Sequence, residues 1–153
     1  MIARLLNIAA CFLLAAPLAL AQPATQAPGS KPATPLAGTH WTLTQLNGEA
    51  VKPQTGHGEA FLELNADTKR LAGSGGCNRL MGSYELDGSS LRFRQVATTM
   101  MACAGDAMPR EQDFVKALGA TTSFRIRGAT LFLRGEDNTV LARLTAESAT
   151  QGP

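Results

Sequence analysis

The sequence predicts a mainly-β domain, an antiparallel sandwich or barrel carrying one short helix. Three observations predict it. Short runs in which apolar and polar residues alternate recur from Thr39 almost to the end of the 153-residue chain. Turn signals such as Asn47-Gly48 and Asp87-Gly88 separate these runs. One segment only, GDAMPREQDFVKALG, carries the spacing and flanking residues of a helix. Frequent turns between strands of this length are the grammar of antiparallel sheets.

Taken in order, THWTLTQL is a first strand that runs into the Asn47-Gly48 turn. EAFLELNADTKRLAGS holds two strands about a turn at Asn65-Ala66-Asp67. GSYELDGSSLRFRQV is a hairpin about Asp87-Gly88, with Tyr84, Leu86, Leu91 and Phe93 on one face. TTMMAC reads as a further strand ending at Cys103. In the helix, Asp106 is positioned to cap, Pro109 falls near the first turn, and Glu111 and Asp113 favour the positive end of the dipole. Phe114, Val115 and Leu118 form its inward face and Gly119 is expected to stop it. Short and single, this helix suits a lid or plug packed on the sheet. SFRIRGATLFLRG is a second hairpin, about Gly128, and matches the first position for position from Ser83/Ser123 to Phe93/Leu133. TVLARLTA supplies the last strand after the Glu136-Asp137-Asn138 turn.

The chain's ends set its expected compartment. Residues 1–21, MIARLLNIAACFLLAAPLALA, place Arg4 before an apolar run that closes on Ala19-Leu20-Ala21. These are the parts of a secretory signal peptide cleaved after Ala21, and the run is too short and too interrupted to cross a membrane comfortably. Ile8-Ala9-Ala10-Cys11 has the form of a lipidation box, but the apolar run continues past Cys11, so anchoring there is disfavoured. Residues 22–36, with four prolines, form a linker; 37–147 the folded domain; and 148–153 a flexible tail. The expected location is periplasmic or secreted.

Loss of the signal leaves two cysteines, Cys77 and Cys103. In an oxidising compartment such a pair defaults to a disulfide. The formal charge of +2 is small and the basic residues are scattered, which excludes the clustered footprint of a nucleic-acid binder.

The residues most suggestive of chemistry lie in GSGGCNRLMG, residues 73–82. Cys77 and Asn78, with His40 or His57, are the ingredients of a Cys-His-Asn hydrolase, but the disulfide would consume the nucleophile. The glycines lack the Gly-Lys-Ser/Thr ending of a phosphate loop. Two cysteines and two histidines stand at none of the usual zinc spacings, so no metal and no cofactor are expected. The structural reading suits every residue: Gly73, Gly75 and Gly76 permit a sharp bend, Asn78 bonds nearby backbone, and Cys77 pins the corner to Cys103. Met81, Met100, Met101 and Met108 make a candidate apolar binding surface, although methionines also fill cores. Trp41 and Tyr84 are core anchors.

Several features fall together in order: Trp41-x-Leu43 with Leu46-Asn47-Gly48, then GSGGCNRLMGSYEL, then TTMMAC, then Glu111-x-x-Phe114 with Leu118. This series resembles the META/HslJ family of small exported bacterial proteins, over about residues 37–146. The resemblance implies a partly open, cracked β-barrel with one short α-helix. It also implies a non-enzymatic domain tied to heat shock and envelope stress, and a fold similar to that of secretion-system pilot proteins. An unknown envelope protein or a small apolar ligand is the implied partner, with a monomeric chain; an inhibitor or assembly role is the alternative. Many members are lipoproteins, and the poorly placed box at Cys11 departs from that pattern.

Overall fold

The computed structural model describes residues 33–52 and 58–147. The signal peptide, Cys11, most of the linker, His57 and the tail at 148–153 lie outside the described residues. The strands are β1 (Trp41–Leu46), β2 (Glu49–Ala50), β3 (Ala60–Leu64), β4 (Arg70–Gly75), β5 (Arg79–Asp87), β6 (Ser90–Thr98), β7 (Ser123–Arg127), β8 (Thr130–Arg134) and β9 (Val140–Ala146), with α1 (Ala107–Ala120) between β6 and β7.

The described strands form one antiparallel sheet in the order β2-β1-β3-β4-β5-β6-β7-β8-β9, and a further pairing of β1 with β9 closes it into a ring. The ring is irregular. β6 and β7 share a single opposed pair, Ser90 with Ser123, supplemented by bonds from Leu91 N–H to Thr122 and from Phe124 N–H to Ser89. That thin seam is the crack in the barrel. Hairpin turns follow the chemistry of their residues: Asn47 and Gly48 both take positive φ, 50° and 90°, the pair of left-handed positions that a two-residue turn of this hand requires.

Alternation along the strands puts Trp41, Leu43, Leu62, Leu64, Leu71, Leu80, Tyr84, Leu91, Phe93, Leu131, Leu133, Ala142 and Leu144 inside. Trp41 is fully enclosed, and its indole N–H donates to the Leu36 carbonyl at 2.8 Å, so its one polar atom is satisfied. Tyr84 likewise buries its ring and donates its hydroxyl to Asn65 O at 3.0 Å. Burial first, and Asp67 second, raise the Tyr84 pKa above the ordinary phenol value.

The helix packs against β6, β4, β9 and β1. An element touching strands from separate parts of a ring sits across its mouth, so the plug expected from sequence is found. Phe114 and Leu118 are completely buried in the same cluster as the strand residues, each such side chain contributing roughly 1.5–3 kcal/mol of transfer free energy.

Five local expectations are corrected. Gly119 does not stop the helix, which continues to Ala120 and is closed by extended Thr121, whose N–H bonds Leu118 O and whose hydroxyl bonds Ala117 O. Asp106 makes no side-chain cap; its carboxylate pairs with Arg110, one turn on, at 3.0 Å. The first turn contains no acidic residue: Asp113 pairs with Lys116, and Glu111 turns inward. Leu86 is exposed rather than inward, although Leu91, directly opposite it in the ladder, is fully buried. Finally, β6 ends at Thr98, so Met100 to Cys103 are not strand. Side-chain bonds from the neighbouring corner hold that segment instead.

Candidate functional site

The glycine-rich stretch runs from the end of β4 through the corner into β5, and each glycine there has a separate reason. A Cβ on Gly73 would overlap the carbonyl oxygen of Phe61 on β3. Gly73 stands opposite Leu62 in the ladder, so the clash is with backbone and cannot be relieved by a rotamer change. Gly75 is occupied on its open side by the Glu111 side chain, which a Cβ would overlap. Gly76 has φ of 101°, a region that costs other residues strain. Replacing Gly73 with alanine is expected to destabilise the domain by about 3 kcal/mol, as overpacking against fixed atoms does; urea unfolding monitored by Trp41 fluorescence measures it.

This corner leads to Asn78, which is 2% exposed and bonded at every polar atom. Its backbone N–H donates to Glu111 Oε2 at 2.6 Å and its Nδ2 donates to Glu111 Oε1 at 2.9 Å. Nδ2 also donates to Met101 O at 3.2 Å. Oδ1 accepts from Thr99 Oγ1 at 2.8 Å and from Met101 N at 2.7 Å. Asn78 O accepts from Gly75 N at 2.9 Å, closing the corner on itself. One buried amide therefore ties together three pieces: the corner, the segment after β6, and the helix. An asparagine can do this because it carries both donors and acceptors on one short side chain. The buried Glu111 carboxylate, 5% exposed, accepts two hydrogen bonds from this one residue, and charged acceptors bond more strongly than neutral ones.

Cys77 and Cys103 form a disulfide with Cα atoms 6.0 Å apart, across 26 residues of sequence. The pairing expected from the cysteine count is found. It fastens the same corner to the residues just before α1. Neither sulfur is then a thiolate, so this corner offers no nucleophile. His40 is engaged elsewhere, with Nδ1 2.6 Å from Glu63 Oε1. Among the described residues the Cys-His-Asn set is thus not assembled as a relay.

The methionines separate. Met100 is 98% exposed, Met101 55% and Met81 44%. Met108 is half-buried on the first turn of α1 and does not join an open surface. Met101 is unusual in that both its backbone polar groups are held by Asn78 while its side chain faces solvent. Open clefts flank other parts of the domain. One, about 600 Å³, lies beside His40, Glu63, Asn65 and Arg70; another of about 510 Å³ lies between the β1–β2 turn and α1.

Sequence reasoning named Gly73, Gly75, Gly76, Asn78 and the two cysteines; Gly73 and Gly75 are ladder positions of β4, while Gly76 to Asn78 make the bend that the disulfide fastens. It missed Glu111 and Thr99 as partners of that corner. The available signal was the isolated Glu111 on the inward side of a helix otherwise presenting Phe114 and Leu118.

Comparison with known proteins agrees with this architecture. The META domain matches residues 34–148. An NMR structure of a protein from Burkholderia xenovorans is 27% identical, covering 85% of this chain and 98% of that one, with a TM-score of 0.56. A second protein solved by NMR is 20% identical over 72% of this chain and 90% of its own, with a TM-score of 0.57. A crystal structure of a DUF4847 family protein from Bacteroides vulgatus ATCC 8482 is 15% identical over 72% of this chain and 93% of that one, with a TM-score of 0.50; the last two likenesses are of fold alone. No curated protein matches the chain.

Proposed function

Since the chain belongs to the META domain family, we propose that it is a non-enzymatic exported binding module. In this reading it supports tolerance of cell-envelope stress by presenting an apolar surface to an envelope protein. The observation that carries the proposal is the segment after β6. Met100 and Met101 expose flexible, polarizable side chains, and the backbone at Met101 is clamped by Asn78 on one side and the disulfide on the other. Methionine adapts to irregular apolar partners, and a clamped backbone lowers the entropy lost when they bind. Met81, on the neighbouring strand, extends the same chemistry.

The disulfide supports export, since it needs an oxidising compartment. Among the described residues no helix is long and apolar enough to cross a membrane.

A photo-crosslinking amino acid at position 100 of the exported protein should trap one dominant envelope protein. The yield should fall at least fivefold when Met81 and Met101 are replaced by serine. Diffuse labelling that ignores those replacements overturns the reading. Native mass spectrometry of the same protein would expose the alternative, a retained apolar small molecule.

A further inference from the structure

Three ligand-bearing side chains far apart in sequence converge beside the start of β1. His40 immediately precedes β1, Glu59 immediately precedes β3, and Glu147 immediately follows β9. One donor atom from each lies within 4.8 Å of the other two. We propose that His40, Glu59 and Glu147 bind a divalent first-row transition ion, with zinc as the natural probe.

The pairing of β1 with both β3 and β9 creates the convergence. Trp41 is opposite Leu62 on one side and Ala146 on the other, and the Glu147 N–H donates to His40 O at 3.1 Å. The imidazole is held in advance of any ion. Its ring stacks on Phe61, centroids 4.3 Å apart and planes 25° apart. Glu63 Oε1 lies 2.6 Å from Nδ1, which places the proton there and leaves the Nε2 lone pair to coordinate. A carboxylate behind a histidine is the outer-shell arrangement that fixes the tautomer and raises the basicity of a metal-binding imidazole.

Charge points the same way. Glu59 and Glu147 have no side-chain hydrogen bond and no ion pair among the described residues, whereas Glu63 is matched to His40. Two carboxylates brought together without a cation repel, and a dication between them removes that repulsion. One imidazole nitrogen and two carboxylate oxygens are a donor set that suits zinc or manganese. Three protein ligands leave a coordination position open to water or to a further ligand.

The test is calorimetric titration of zinc chloride into the untagged, disulfide-bonded full chain at pH 7, alongside His40→Ala, Glu147→Gln and Glu63→Gln. The expected result is one ion per chain, with affinity at least tenfold weaker in the first two variants. Glu63→Gln, which leaves all three donors in place, should weaken binding by about 10- to 100-fold. Zinc should also raise the melting temperature of the parent chain and not of His40→Ala. Glu147→Gln changes an exposed side chain, so loss of binding there reports the site rather than a failure to fold. Absence of zinc uptake by the full chain overturns the proposal. So does uptake that survives both His40→Ala and Glu147→Gln, which would put the ion elsewhere.

Discussion

Replacing Asn78 with alanine should lower the stability of the domain by about 3 kcal/mol, the scale of a broken buried polar network. The side chain's bonds to Met101, Thr99 and Glu111 would all be lost. The larger penalty falls on what remains. Glu111 stays buried, keeping the Asn78 backbone N–H as a donor but losing the side-chain amide, and an under-satisfied buried charge costs more than the bond it once made contributed. Asn78→Asp tests the same idea from the charge side, because it sets a second carboxylate against Glu111 and should be worse than alanine. A double-mutant cycle between Asn78 and Glu111 should return a coupling of at least ~1 kcal/mol. A coupling near zero would mean that Glu111 finds another partner when Asn78 is lost. Circular dichroism of the exposed segment after β6 is a poor readout here; thermal unfolding followed at Trp41, which lies in the core, is the appropriate one.

Removing the Cys77–Cys103 bond, by reduction or by a Cys77→Ala/Cys103→Ala double variant, is the second large effect. A closed loop of 26 residues corresponds to roughly 3 kcal/mol on the chain-entropy account. For a domain of this size that is a fall of roughly 10 °C in melting temperature. The two effects should not be independent. Asn78 bonds Met101, and the disulfide joins the flanking residues Cys77 and Cys103, so both fasten the same segment to the same corner. Either fastening alone keeps that segment ordered in the native state. Removing both should therefore cost more than the sum of the single changes, because only then is the segment released. Strict additivity of the two would show that they act on separate parts of the fold.

Much of the fold is legible in the residues. The apolar alternation that puts Leu91 and Phe93, then Leu131 and Leu133, on one face reappears as buried strand positions, because a strand's side-chain period is two whatever it packs against. Asn47-Gly48 and Gly128 stand in the turns expected of them, since positive φ is a local demand that local chemistry meets. Elements ending in free solvent were harder to bound. Leu86 alternates correctly yet is exposed, and Gly119 is a residue able to end a helix that Thr121 ends instead.

The candidate site divides along the same line. That Cys77 joins Cys103 followed from residue types alone, because cysteine pairing in an oxidising compartment is a property of the residues. Why Gly73 and Gly75 have no side chain did not. One faces the backbone of β3 and the other the carboxylate of Glu111, neighbours that exist only after the sheet has paired and the helix has crossed its mouth. Glu111 itself was read as a charge favouring a helix dipole, a local effect of a few tenths of a kcal/mol; burial beside Asn78 makes it part of a larger interaction. The convergence of His40, Glu59 and Glu147 had no sequence signal, since no short spacing relates them. The sequence by itself determined strands, turns, the helix and the disulfide, all of which depend on neighbours along the chain or on the count of one residue type. Only the tertiary structure decided which polar groups meet, because burial and charge act through distance in space: the helix crossing the ring sets the distance from Asn78 to Glu111, and the pairing of β1 with both β3 and β9 sets those among His40, Glu59 and Glu147.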